Sequence, residues 1–244
     1  MTLPASLSLP AANDVLVDVP NAEVGKLPRY VVPEGTRTIL ATTLGEASDA
    51  VDAVSAAMAA AEVCFLGFDT ETRPCFTSGV THPLDVIQLY APGVAAVFHC
   101  RSGGALELAK ASPLLSLLGD GSVLKAAAGV AGDVRALRTR LDESVPLNGM
   151  LCLAPIVQKR YPKVKKIGLR GTAAAVLGRG LSKGQQMANW AREMTPAMLA
   201  YAAADAAASY EILAAALEPD ARAKVRVSPF VAAAQDPKRQ KVEA

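Results

Sequence analysis

The segment VCFLGFDTE, residues 63–71, is apolar at nearly every position and then closes on two carboxylates two residues apart. A run without polar alternation is what a central strand covered on both faces looks like, so this segment reads as the first strand of a buried sheet. Alternate side chains of a strand share a face; Asp69 and Glu71 therefore project together while Thr70 points away. Placing such acids in or beside a buried strand costs several kcal/mol unless something positive compensates them. Two further acids stand in comparable settings: Asp133 behind the short apolar run VLKAAAGVAG, and Asp205 four positions after Tyr201 in an Ala-rich stretch. A convergent set of this kind implies cations, and points to a metal-dependent hydrolase.

The remaining pattern supplies the scaffold. The chain has 244 residues, 51% of them hydrophobic and 20% charged, enough for one well-filled domain with tails. GEASDAVDAVSAAMAAA, residues 45–61, is a strong helix former with acids near its start, where the helix dipole favours them. LDVIQLYAP (84–92) and VAAVFHC (94–100) are joined through Pro92-Gly93, a hairpin signal, so the sheet includes antiparallel members. A helix over 106–118 is interrupted or starts afresh at Pro113. Residues 123–132 form a strand running into glycine, with Asp133 at the turn and a helix behind it carrying Val134, Leu137 and Leu141. Further helices are expected over 149–160, 168–178 and 196–217, the last with Thr195 as N-cap and Pro196 at its first position. Strands come first and helices crowd the C-terminal half, which predicts an α/β fold with a mixed sheet flanked by helices in a single domain. Residues 1–36 are expected to be an irregular N-terminal arm, 37–218 the domain, and 219–244 a C-terminal tail.

Composition excludes several alternatives. No apolar run reaches the roughly 20 residues needed to cross a bilayer, and the N-terminus has no basic residue ahead of its weak apolar part, so neither a membrane span nor a signal peptide is expected. Cys64, Cys75, Cys100 and Cys152 show no CxxC pairing, and His82 and His99 lack metal-ligand spacing. Reduced thiols in an intracellular protein fit better than a zinc site; nucleus or cytoplasm is left open. A net charge of +2 is too small to announce a nucleic-acid binder by itself, so such a partner must be held by a local patch. KRYPKVKKIGLR, residues 159–170, is such a patch: Lys159, Arg160, Lys163, Lys165, Lys166 and Arg170 stand without one acid among them. Tyr161 within it reads as either a stacking platform or a core edge, and Trp190 as a core anchor.

Four hard oxygen donors on three separate elements suit Mg²⁺ or Mn²⁺ over softer metals. Two such ions roughly 3.5–4 Å apart can clamp the attacking and leaving oxygens of a phosphodiester. Tyr201 and Asp205, one helical turn apart, present a phenol and a carboxylate to the same place.

This ordered set resembles the DEDD superfamily of 3′-5′ exonucleases on the ribonuclease H-like fold, in its Tyr-bearing subclass. FDTE, AGVAGDVRALR and YAAADAAASYEIL stand where that family keeps its three exonuclease motifs. The likeness extends to ribonuclease D and, more so, to the exonuclease domain of the Werner syndrome helicase, since VIQLY, KAAAGVAGD and ANW followed by TPAMLAYAAAD also fit. The resemblance implies that Asp69, Glu71, Asp133 and Asp205 hold two Mg²⁺ or Mn²⁺ ions and that Tyr201 positions the nucleophilic water. It further implies a 3′-5′ exonuclease acting on single-stranded or frayed ends of DNA or RNA and releasing nucleoside 5′-monophosphates, alone or recruited by a partner protein. The alternative from another class is a nuclease-fold adaptor that binds nucleic acid and hydrolyses little.

Overall fold

The computed structural model describes residues 9–12, 16–100 and 106–218. The C-terminal tail and the first residues of the N-terminal arm lie outside them. The chain divides into two compact units, one made of Val31–Cys152 and Ser182–Tyr210, the other of the described residues within Met1–Tyr30, Leu153–Leu181 and Glu211–Ala244.

The first unit is built on a six-stranded mixed sheet of β1 (Arg37–Ala41), β2 (Phe65–Glu71), β3 (Val86–Ala91), β4 (Val94–His99), β5 (Leu124–Ala127) and β6 (Met150–Cys152), in the order β1-β4-β3-β2-β5-β6. The apolar runs of β2 to β4 form its centre and pair antiparallel, while β1, β5 and β6 pair parallel to their neighbours. The β3–β4 hairpin turns at Pro92-Gly93 as expected, and Gly93 supplies the left-handed backbone the turn needs, at φ 85°. This is the mixed sheet flanked by helices that the ribonuclease H-like resemblance implies.

The helices of this unit follow from local signals. Helix α2 (Leu44–Ala60) starts with a capping box in which Thr43 accepts from the Glu46 backbone N–H and Glu46 reaches back to Thr43, satisfying two otherwise orphaned donors. Helix α3 (Ser112–Gly119) carries Pro113 in its first turn and α4 (Val130–Arg138) follows β5. The core on one side of the sheet gathers Val51, Val54, Leu66, Phe68, Ile87, Leu89, Phe98, Leu114 and Leu137. A smaller cluster joins Val86, Val97, Trp190, Met198 and Ala202, so Trp190 is the core anchor expected. Helix α7 (Pro196–Leu217), whose Thr195 hydroxyl accepts from the Met198 backbone N–H as its N-cap, contributes its residues up to Tyr210 to this unit.

Three local expectations are corrected. Strand β1 was not anticipated; RTILA is too short and mixed to announce itself, and its register comes from β4. Residues 150–152 are strand, and the helix expected from 149 starts at Leu153, because the apolar MLC pairs parallel with β5; periodicity alone does not separate a short buried strand from a helix. The strand expected over 123–132 ends at Ala127, the chain turns at Gly129 with φ 90°, and the helix is under way by Val130. Asp133 is thus in the first turn of α4 and not at the turn before it.

In the second unit, α1 (Asn21–Val24), α5 (Leu153–Arg160) and α6 (Leu169–Thr172) are short, and Ala173–Leu177 continue α6 in the wider π geometry. Val19, Val24, Leu27 and Ala174 form its buried cluster, and Arg29 bridges to Gly180.

Candidate metal centre

Strand β2 delivers Asp69 and Glu71 to one face, and helix α7 delivers Tyr201 and Asp205 one turn apart. What lets the two elements meet closely is small residues. A Cβ on Gly67 would sit 1.9 Å from the Ala206 carbonyl oxygen and 2.8 Å from the Tyr210 nitrogen, so only glycine is accommodated there. On the helix side the residue that meets Gly67 is Ala206, and Ala202 and Ala203 on the preceding turn are likewise fully buried or nearly so. Phe65 stacks on Tyr210 with ring centroids 4.9 Å apart and locks the next turn.

With that spacing, ligand-capable oxygens of Asp69, Glu71 and Asp205 all lie within 4.8 Å of one another. Asp205 is 7% exposed, as is Asp133. Asp133 stands beside this trio and acts on it electrostatically, but its own Oδ1 accepts a hydrogen bond from the Thr70 hydroxyl at 2.7 Å. Thr70, which points away from Asp69 and Glu71, is therefore the residue that holds the fourth acid.

The electrostatics are those of an uncompensated cluster. Burial, then the charges of Asp133, Asp205 and Glu71, raise the Asp69 carboxyl well above its ordinary range. Burial followed by Asp205 and Asp133 pushes Glu71 up to about 8. Burial also raises Asp133 and Asp205, opposed by the hydroxyls of Thr70 and Tyr201 respectively. Among the described residues, none of these four acids forms an ion pair with a lysine or arginine. A low-dielectric site with several acids and no cation paired to them among the described residues is what a divalent ion resolves, and an all-oxygen donor set suits Mg²⁺ or Mn²⁺. Tyr201 lies against Asp205 with its ring 5.9 Å from that of Trp190; burial, then Asp205 and Glu71, raise its pKa, so its hydroxyl stays protonated and able to donate.

The basic segment is more divided than its sequence suggests. Lys159, Lys163 and Lys165 are exposed and Arg170 is partly buried. Arg160 and Lys166 are engaged within the chain. Arg160 is buried, its guanidinium donating to the Ala11 carbonyl and, at 3.4 Å, to that of Glu218, and lying over the Tyr161 ring. The Lys166 ammonium donates to the Val19 carbonyl at 2.7 Å and to Asn21 Oδ1 at 3.1 Å. Tyr161 is a core residue, fully buried with its hydroxyl donating to the Ala215 carbonyl at 2.9 Å.

Two buried polar residues at the edge of this centre were not singled out from sequence, Gln88 and Asp85. Each interrupts the apolar run LDVIQLY, and a polar residue inside such a run is the signal that could have found them.

A family model described as 3′-5′ exonuclease matches residues 43–221. Comparison with curated proteins finds no match. Among solved structures, the chain is similar to the Nibbler EXO domain of Aedes aegypti, with a TM-score of 0.61 and 19% identity over 83% of this chain and 96% of that one. It is also similar to RNase D of Escherichia coli, an exoribonuclease involved in structured RNA processing, with a TM-score of 0.59 and 21% identity over 74% of this chain and 44% of that one, so it spans less than half the length of that relative. NrnC of Brucella melitensis, in a complex with pGG, matches with a TM-score of 0.54 and 24% identity over 81% of this chain and 85% of that one. These structural likenesses establish the fold.

Proposed function

The chain belongs to the 3′-5′ exonuclease family, and on that premise we propose that it releases nucleoside 5′-monophosphates one at a time from single-stranded or frayed 3′ ends. In this reading Asp69, Glu71, Asp133 and Asp205 hold two Mg²⁺ or Mn²⁺ ions, and Tyr201 orients the attacking water. The observation that carries it is the convergence of Asp69, Glu71 and Asp205 within 4.8 Å with no basic side chain among the described residues to neutralise them. When bound, such ions supply a nucleophile deprotonated at neutral pH and offset the charge on the departing oxygen.

The chain's own groups do the rest. The clustered carboxylates would hold such cations on the face shared by Asp69, Glu71 and Asp205. The Tyr201 phenol, kept protonated by burial and by its acidic neighbours, does not compete as a base; its one O–H is directed at Asp205, which leaves the phenol oxygen to accept from the water. Its contact with Asp205 ties its orientation to that of a ligand. Lys159, Lys163 and Lys165 are the exposed cations proposed to contact the phosphate chain by counterion release. A base can rest on apolar faces without sequence readout, so little sequence preference is expected. The complex of Brucella melitensis NrnC with pGG is consistent with a site of this fold accepting short nucleic acid.

The test is digestion of 5′-end-labelled DNA and RNA oligonucleotides with Mg²⁺ or Mn²⁺, comparing the wild type with Asp69→Ala and Asp205→Ala. A ladder shortening from the 3′ end that both substitutions abolish supports the reading. Variants that digest as fast as the wild type sink it, and tight oligonucleotide binding without metal-stimulated product converts the protein into an adaptor.

A further inference from the structure

Strand β3 pairs antiparallel with β2 so that Gln88 lies directly opposite Asp69. Residues directly opposite in a sheet put their side chains on the same face, so the Gln88 amide is on the carboxylate side. Gln88 is fully buried, where an amide must find partners. With its nitrogen turned toward the two acceptors in reach, that amide donates to Asp69 Oδ2 at 3.3 Å and to the Ala202 carbonyl of α7 at 3.2 Å. An amide nitrogen has two N–H bonds, and both are then used.

We propose that Gln88 is a positioning residue of the metal centre, which holds the Asp69 carboxylate and indexes helix α7 against strand β2 through one amide. This rests on the metal-centre reading above. Three features carry it. The hydrogen bond fixes one oxygen of Asp69, and with it the rotation of the carboxylate, while leaving the other oxygen unengaged by Gln88. The second bond lands on Ala202, one residue after Tyr201 and three before Asp205, so the same group that sets Asp69 also sets the height of the helix that brings the partner acid. And the donor is neutral. A lysine or arginine at this position would hold Asp69 equally well but would supply the positive charge that the cluster reserves for a cation; an amide orients the ligand without discharging it. Partners of metal ligands acting in this way commonly govern affinity by 10–100-fold.

The experiment is Mn²⁺ titration of the full chain by calorimetry for the wild type, Asp69→Ala, Gln88→Met and Gln88→Asn, with metal-free melting recorded for each. Methionine keeps the length of the side chain without its donor, and asparagine keeps the amide but withdraws it by one methylene. Both Gln88 variants are expected to fold and to bind Mn²⁺ with a dissociation constant raised about tenfold or more. Because the defect acts through Asp69, exonuclease activity lost at low Mn²⁺ is expected to return as Mn²⁺ is raised, which a merely loosened core would not do. A folded variant of either kind that binds Mn²⁺ as the wild type does overturns the proposal. If the methionine variant does not fold, the asparagine variant decides; if neither folds, Gln88 is a core residue and the proposal falls. A wild type that takes up no Mn²⁺, or an Asp69→Ala variant that binds it unchanged, removes the metal-centre reading and this inference with it.

Discussion

Asp85 and the Asp69–Glu71–Asp205 cluster lie a few ångströms of backbone apart, since the Asp85 N–H donates to the Glu71 carbonyl at 3.0 Å, yet the two are stabilised by opposite means. Asp85 is fully buried and satisfied from within the chain. Its Oδ2 accepts from the Arg73 backbone N–H at 2.9 Å, its Oδ1 pairs with the Arg73 guanidinium at 3.2 Å, and the Arg140 guanidinium stands 3.8 Å away. Arg140 also donates to the Leu84 carbonyl, and the Thr139 hydroxyl accepts from the Leu84 N–H at 2.9 Å. The C-terminal end of α4 is thereby clamped to the segment leading into β3. The cluster has three acids in contact range, a fourth alongside, and, among the described residues, hydroxyl or amide donors only. A buried acid with its own arginines is a structural joint; buried acids offered only neutral donors are a seat for ions from outside.

Breaking the cluster and breaking the joint should therefore fail in different ways. The largest effect expected is on catalysis: Asp69→Ala or Asp205→Ala should lower the rate of 3′-terminal digestion by about a thousandfold, which corresponds to roughly 4 kcal/mol of lost transition-state stabilisation. Metal-free stability should hold or rise in the same proteins, because the cost of burying a carboxyl among other acids has been removed. Urea unfolding that shows Asp69→Asn to be markedly less stable than the metal-free wild type would contradict the idea of an uncompensated cluster. Asp85→Ala should do the reverse. It leaves two arginines facing a buried void of charge, and unfolding should become easier by about 3–5 kcal/mol. An Asp85→Ala protein as stable as the wild type would show that the arginines are not held by this acid.

The contrast also explains what could be read from the sequence. The pattern of an apolar run closing on Asp69 and Glu71 survives translation into structure because strand alternation is strict, and Tyr201 and Asp205 because helical spacing is equally strict. Asp133 is legible as a residue but its place in the first turn of α4 is not, since a Gly-rich junction leaves the start of a helix undetermined until Gly129 takes its left-handed conformation. The basic segment was legible only as a count of charges. Whether Arg160 and Lys166 face solvent or backbone carbonyls depends on chain segments about 150 residues away, among them Ala11 and Val19, and no local pattern encodes that. Gly67 and Ala206 carry a close approach of strand and helix, yet as residues they look like ordinary small positions; their meaning comes from being opposite one another.

A third prediction measures the charge deficit directly. Mn²⁺ at about 100 times its dissociation constant should add roughly 2.7 kcal/mol to the folded state. For a chain of this size that is about 5–10 °C in melting temperature. The shift should vanish on chelation and in Asp69→Ala, and should persist in any Asp85 variant that still folds. A wild-type melting curve indifferent to Mn²⁺ and Mg²⁺ would place the cluster with Asp85, as a structural feature.

The smallest effect, per step, is in pH. Unfolded, these carboxyls titrate at about 4; folded, Glu71 keeps its proton up to about 8, and Asp69, Asp133 and Asp205 are raised as well. Between those limits the folded chain binds more protons than the unfolded one, so metal-free stability must fall as pH rises, by on the order of 1 kcal/mol per pH unit. Urea unfolding at pH 5.5, 6.5 and 7.5 in chelator measures that slope. Saturating Mn²⁺ competes with the same protons, so it should flatten or reverse the slope, and metal affinity should increase across the same window. A metal-free protein that gains stability from pH 5.5 to 7.5 would mean that the four acids are neutralised by something in the chain, and the distinction between the cluster and Asp85 would disappear.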